Sequence, residues 1–285
     1  MERTIGNPIS WLTKALGLTG AHLSASVDQL GSDTERSAPE ALVLDMSDIT
    51  AALSAGWQDF IACRSDAMAI VFLYPLIGLA LVVFGFSADL FPLIFPVVMG
   101  FALIGPVAAV GLYEMSARRE AGFKPRWADA FAVLRSPAFL SVLMLGLYLA
   151  GLFVLWMVFA IGIFNRTLGP EAPASLMAFA TAALTTTPGW IMIVVGSTVG
   201  AAFAVVALAV SLVSFPLLLD RHTGLPVAVA TSLKVVRKNP VVCLTWGAMV
   251  GTLLFLGAVP MFAGLIVVIP LLGHATWHLY RRAVG

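Results

Sequence analysis

The chain has 285 residues, of which 60% are hydrophobic and only 11% charged, and its mean hydropathy is +0.98. Soluble domains carry roughly 25% charged residues, and a water-soluble fold of this length could not hide so much apolar surface, so that class is excluded. A net charge of +1 offers no global field for nucleic acid or an acidic substrate, and Cys63 and Cys243 share no spacing that announces a disulfide framework or a zinc site.

Residues 1–47 lack the apolar run of a signal peptide; Trp11 to Leu18 is interrupted by Thr13 and Lys14. Rich in Ser, Gly, Asp and Glu, they read as a disordered cytoplasmic tail with one amphipathic turn around Trp11 to Leu16. From residue 48 to 285 the sequence reads as one all-α, polytopic membrane domain. Asp48 to Arg64 opens it as an amphipathic helix, with Ile49, Leu53, Trp57, Phe60 and Ile61 on one face and Asp59 and Arg64 off it.

A bilayer core of about 30 Å needs about 20 apolar residues at 1.5 Å each. Ala67 to Phe86 is the first such stretch, and Leu90 to Tyr113, after a break at Ser87 to Asp89, is the second. Pro125 to Arg135 repeats the amphipathic pattern with Trp127, Phe131 and Leu134 before a third span, Ala138 to Phe164. The loop Asn165 to Pro188, charged only at Arg166 and Glu171, holds a short helix from Pro173 to Leu184, and Trp190 to Leu219 is the fourth span. Pro226 to Lys238 is a third amphipathic helix. The apolar stretch Val241 to Tyr280 is too long for one span, and a turn at Gly257 to Pro260 divides it into a fifth, 241–257, and a sixth, 261–280.

Fifteen of the sixteen Lys and Arg residues fall before the first span, after the even-numbered spans, or at the C-terminus; Arg166 alone falls on the other side. Basic residues are retained in the cytoplasm, so six spans with both termini cytoplasmic satisfy the pattern. The amphipathic helices would then lie in the membrane interface, their Lys and Arg reaching to anionic headgroups. One unit, an interfacial helix followed by two spans, recurs three times in the same orientation. Trp57, Asp59, Phe60, Arg64 and Ser65 match Trp127, Asp129, Phe131, Arg135 and Ser136, and the third match is weaker. Parallel repeats differ from the inverted repeats of many secondary transporters.

No phosphate-binding loop, dinucleotide fingerprint or nucleophile elbow is present. The sharpest constellation is Gly273-His274-Ala275-Thr276-Trp277-His278, where four-residue spacing puts both imidazoles on one helix face. His274 and His278 are candidate metal ligands or proton carriers. Against this, His278 with Trp277 and Tyr280 also reads as an interfacial anchor, and His274 as bonded to a neighbouring helix. Glu114, Asp220 and His222 lie at the same cytoplasmic depth, at the ends of spans two and four. Four histidines are too few for a haem-copper core, and no cofactor is called for. Gly196-x-x-x-Gly200 and Gly247-x-x-x-Gly251 read as internal packing, and Pro75, Pro106, Pro216 and Pro270 as kinks.

Gly105 to Glu114 with Arg118-Arg119, Ser214 to Arg221, and Gly273 to Arg281 resemble a bacterial family of predicted integral membrane proteins, domain of unknown function family 2189. The resemblance runs from about Leu44 to Val284. It implies a bacterial inner-membrane address and no activity. Membrane lipids and other membrane proteins are the expected partners, in a non-enzymatic assembly or lipid-organising role. The alternatives are a carrier or channel for a small uncharged or lipid-like solute, and an intramembrane enzyme resting on the rim residues.

Overall fold

In the computed structural model, residues 39–285 are described, except Phe72, 88–90, Ala172 and His222. The expected tail helix at Trp11 to Leu16 lies outside the described residues, as do the Ala88-Asp89 break and His222. The described residues are helical throughout their length apart from short connections. No strand occurs among them, only an isolated antiparallel bridge between Ala41 and Val284.

Helix α1 spans Met46–Val71 and α2 Leu73–Ser87. They are followed by α3, Phe91–Ala108, and α4, Val110–Glu120. A 3-10 helix, Trp127–Arg135, leads into α5, Phe139–Thr167. Next come α6, Leu176–Thr185, α7, Thr187–Ser211, and α8, Ser214–Arg221. The chain ends with α9, Leu225–Lys238, α10, Pro240–Ala258, and α11, Leu265–Ala283.

Among the described residues, four stretches are long and apolar enough to cross a membrane: Pro92–Glu120, Phe139–Thr167, Thr187–Arg221 and Pro240–Ala258. They coincide with the second to fifth expected spans. The first falls on the end of α1 and on α2, and the sixth on α11, whose last turn carries Arg281 and Arg282; neither is among the four. Two of the four are interrupted where proline dictates. Pro106 has no N–H for the Ala102 carbonyl and Pro216 none for that of Leu212, and α3 gives way to α4 at Ala109 and α7 to α8 at Leu212-Val213.

Local chemistry sets the other boundaries. Ser175 caps α6 by accepting from the Ala178 N–H at 3.1 Å, and Thr186 caps α7 by accepting from the Gly189 N–H at 3.1 Å. The expected second amphipathic helix is a 3-10 helix, confined between Pro125 and Pro137; Asp129 accepts from the Arg126 N–H at its start. Between α10 and α11 the chain reverses through Met261 and Phe262, both left-handed, at φ 52° and 64°.

The first helix buries a different face from the one its large apolar residues mark. Ile49, Ala52, Gly56, Asp59 and Cys63 form the buried stripe, while Trp57 and Ile61 are 46% and 52% exposed. Lipid offers large apolar side chains as good an environment as protein does, so small residues take the contact where backbones approach closely. That face packs on α11, which is the centre of the fold; Trp277, Tyr280, Leu279 and His274 are among its largest fully buried side chains.

Asp48 pairs with Arg282 at 2.9 Å, and Gly56 faces Ala275, so α1 and α11 run antiparallel. Residues 39–45, expected in the tail, continue this contact as an extended segment. The Leu42 N–H donates to the Ala283 carbonyl and the Gly285 N–H to that of Glu40. Asn239 receives the Leu44 N–H at 2.8 Å and donates to the Leu42 carbonyl at 2.9 Å. Lys238 Nζ donates to the Ala41 carbonyl. The outward faces of α5, α7 and α10 carry Leu147, Val158, Val194 and Leu256, as a lipid-facing surface requires. In the two glycine motifs, Gly200 faces Trp156 and Gly247 faces Leu208, whereas Gly196 and Gly251 face open space. Cys63 and Cys243 are buried free thiols.

Candidate functional site

The polar residues of α1, α4, α8 and α11 meet at one rim, centred on the last three turns of α11. His274 and His278 share a face, as their spacing requires, and that face meets α1 and α4. Asp59, 3% exposed, is the hub. One of its oxygens, Oδ2, lies 2.6 Å from Ser116 Oγ and 2.8 Å from His278 Nε2, and Arg119 donates to the other. Ser116 Oγ also lies 2.8 Å from His274 Nδ1.

The protons in this chain can be assigned by counting. Burial alone would raise the Asp59 pKa, but hydrogen bonds from His278, Ser116 and Arg119 outweigh it and hold the carboxyl below its usual range. Asp59 is therefore ionised at neutral pH and can only accept. The single hydroxyl proton of Ser116 goes to Asp59, so His274 Nδ1 must carry a proton and donate it to Ser116 Oγ. His274 Nε2 is buried and without a hydrogen-bond partner. His278 Nε2–H donates to Asp59. This polarity is the reverse of a nucleophilic serine site, in which imidazole takes the proton of the hydroxyl, and Ser116 itself is wholly buried.

A second set of contacts flanks the first. Glu120 accepts from Trp277 Nε1 at 2.9 Å and from Arg281 Nε at 3.0 Å. Asp220 accepts from the Tyr280 hydroxyl at 2.6 Å and from Arg281 at 3.2 Å. Arg118 bridges Glu114 and Asp129, each at 2.9 Å.

Of the rim residues singled out from the sequence, the structure joins His274 and His278 through Ser116 and Asp59. Asp220 is held by Tyr280 and Arg281, while Glu114 stays one turn back, paired along its own helix. The metal-ligand expectation for His274 and His278 finds no third ligand: among the described residues, no group of three or more His, Cys, Asp or Glu side chains could hold a metal ion. Trp277 and Tyr280, read as interfacial anchors, are buried and spend their polar ends on carboxylates.

Sequence reasoning missed Asp59, Ser116 and Arg119. The first was legible: it continues the small-residue stripe Ala52-Gly56 by half a heptad. Asp59 and Asp129, which occupy like positions in the two amphipathic segments of the sequence, bind the neighbouring arginines Arg119 and Arg118.

Residues 94–220 match the family described as "Predicted integral membrane protein (DUF2189)". The matched stretch takes in the first two of the three segments that carried the resemblance, all but Arg221 of the second, and not the third, Gly273 to Arg281. The DUF2189 match contains Glu114, Ser116, Arg119, Glu120 and Asp220 from the rim, and leaves Asp59, His274 and His278 outside it. No curated protein and no solved structure matches the chain.

Proposed function

We propose that this protein is a non-enzymatic component of the bacterial inner membrane that organises lipids or assists the assembly of other membrane proteins. In this reading it has six spans in three parallel repeats, with both termini cytoplasmic. The observation that carries it is the distribution of charge. Asp59 of α1, Arg119 and Glu120 of α4, Asp220 of α8 and His278 and Arg281 of α11 pair with one another at a single rim, and no Asp, Glu, Lys or Arg lies within the expected spans to serve an ion or proton pathway. Trp57 and Ile61 of α1 and Phe131 of the 3-10 helix face outward, as interfacial helices would. Lys234 and Arg237 on α9 are exposed and available to anionic headgroups.

Electron spin resonance of the purified protein in vesicles with spin-labelled phospholipids tests this. An immobilised lipid fraction enriched in anionic over zwitterionic headgroups, with the enrichment lost at high salt, is the expected result; no headgroup preference overturns it. The second reading, a carrier for an uncharged or lipid-like solute, is favoured by an apolar cavity among α2, α3, α10 and α11. Saturable, protein-dependent flux of such a solute into proteoliposomes would decide for it.

A further inference from the structure

The cavity has a volume of about 100 Å³. Its wall is made by Gly78 of α2, Met99, Ala102 and Gly105 of α3, Gly251, Phe255 and others of α10, Phe262 of the turn and Ile269 of α11, with no charged side chain among them. That is the scale of dry apolar cavities, roughly 150 Å³, that take up benzene-sized guests.

Three features distinguish it from a packing defect. Gly105 and Gly251 line it from opposite helices, and a Cβ at either would meet nothing within 4 Å, so the space between α3 and α10 is open where both lack side chains. Phe262 is held against Gly78 at φ 64°, beside Met261 at 52°; two successive non-glycine residues in the left-handed region cost of order 1 kcal/mol or more each and need surrounding packing to hold them. The cavity also lies between helices whose outer faces are set for hydrocarbon, where water has no polar group to bind.

We infer that this cavity is a lateral binding site for the terminal few methylene groups of one acyl chain of a membrane phospholipid, with Phe262 as the side chain closing one end of it. The occupant follows from the surroundings: the lining is apolar, and the medium against the helices that build it is acyl chain. The inference adds to the lipid-organising reading without depending on headgroup charge.

The full-length protein in vesicles of phosphatidylcholine bearing a diazirine on its acyl chain tests it, because a zwitterionic lipid removes the attraction of the basic rim. Cross-links after irradiation are expected to concentrate on residues 98–108 and 251–269. Gly105→Leu and Gly251→Leu, each filling the cavity from one side, should reduce those cross-links about tenfold, the factor for excluding roughly two methylene groups, and leave labelling at Leu147 and Val158 on the outer face of α5 unchanged. Wild-type cross-links spread evenly over all lipid-facing helices would overturn the inference even if neither variant folds, as would undiminished labelling in a folded variant. Neither result bears on anionic-lipid enrichment in the wild type, so the two readings fail separately.

Discussion

Gly56 and Ala275 bring α1 and α11 into direct backbone contact: a Cβ on Gly56 would lie 2.6 Å from the Ala275 nitrogen and 2.7 Å from its Cα. The obstacle is backbone and cannot swing aside. In these antiparallel helices Asp59 and His278 lie about one turn to opposite sides of that contact, and their side chains reach across it to meet at 2.8 Å. Gly56→Val is expected to destabilise the protein by about 2 kcal/mol, as overpacking in a tight contact does. Thermal unfolding in mild detergent checks this, and an unchanged midpoint would show that the helices are not in contact there.

Removing the hub leaves its partners unmatched. Asp59→Ala strands Ser116 in the interior, while His278 and Arg119, both partly exposed, can turn to water. The expected loss is about 2 to 3 kcal/mol, at or below the usual cost of breaking a buried pair. Asp59→Asn, which keeps an acceptor oxygen of the same shape, should lose less. Equal effects of the two substitutions would mean that packing, not the carboxylate, matters at this position.

The same carboxyl predicts a pH dependence. Its folded pKa is depressed, so its contribution is fully present above the unfolded value of about 3.9 and is lost as pH falls through the lower, folded value. Stability measured by chemical unfolding should therefore decline below about pH 4 in the wild type, more steeply than in Asp59→Asn. Parallel curves for the two proteins would remove Asp59 from the account.

Six spans with cytoplasmic termini predict the behaviour of reporter fusions. Fusions at Gly169 and Val259 should report the extracytoplasmic side, and fusions at Lys124 and after Gly285 the cytoplasmic side. A reversed signal at Lys124 would invert the topology, and a discordant one at Gly285 would remove a span.

Long apolar runs made the second to fifth spans legible, because hydropathy over about 20 residues needs no knowledge of neighbours. The breaks inside two of them were foreshadowed by Pro106 and Pro216, though a proline marks a break without giving its angle. Face assignment in α1 followed the rule for water-soluble helices, which buries the largest apolar side chains. Where lipid competes for those side chains, Ala52, Gly56 and Cys63 are buried and Trp57 is not. The rim was legible only as a depth: His274, His278 and Asp220 were placed at one level, but their pairing with Ser116, Asp59 and Tyr280 depends on helix rotation, which sequence spacing leaves open.

The partnership between α1 and α11 also has a timetable. Asp59 and His278 are separated by 219 residues, so at roughly 5 to 20 residues per second about 10 to 45 s pass between the synthesis of one and of the other. Until then Asp59, Asp48 and the extended segment around Leu42 have none of the α11 partners they hold in the finished fold. The first helix can meet Ser116 and Arg119 of α4 earlier, but its long contact with α11 forms only when the last helix emerges. Assembly of this rim is therefore a closing event, and a chain stalled before residue 278 would expose the small-residue face of α1 to whatever machinery attends nascent membrane proteins.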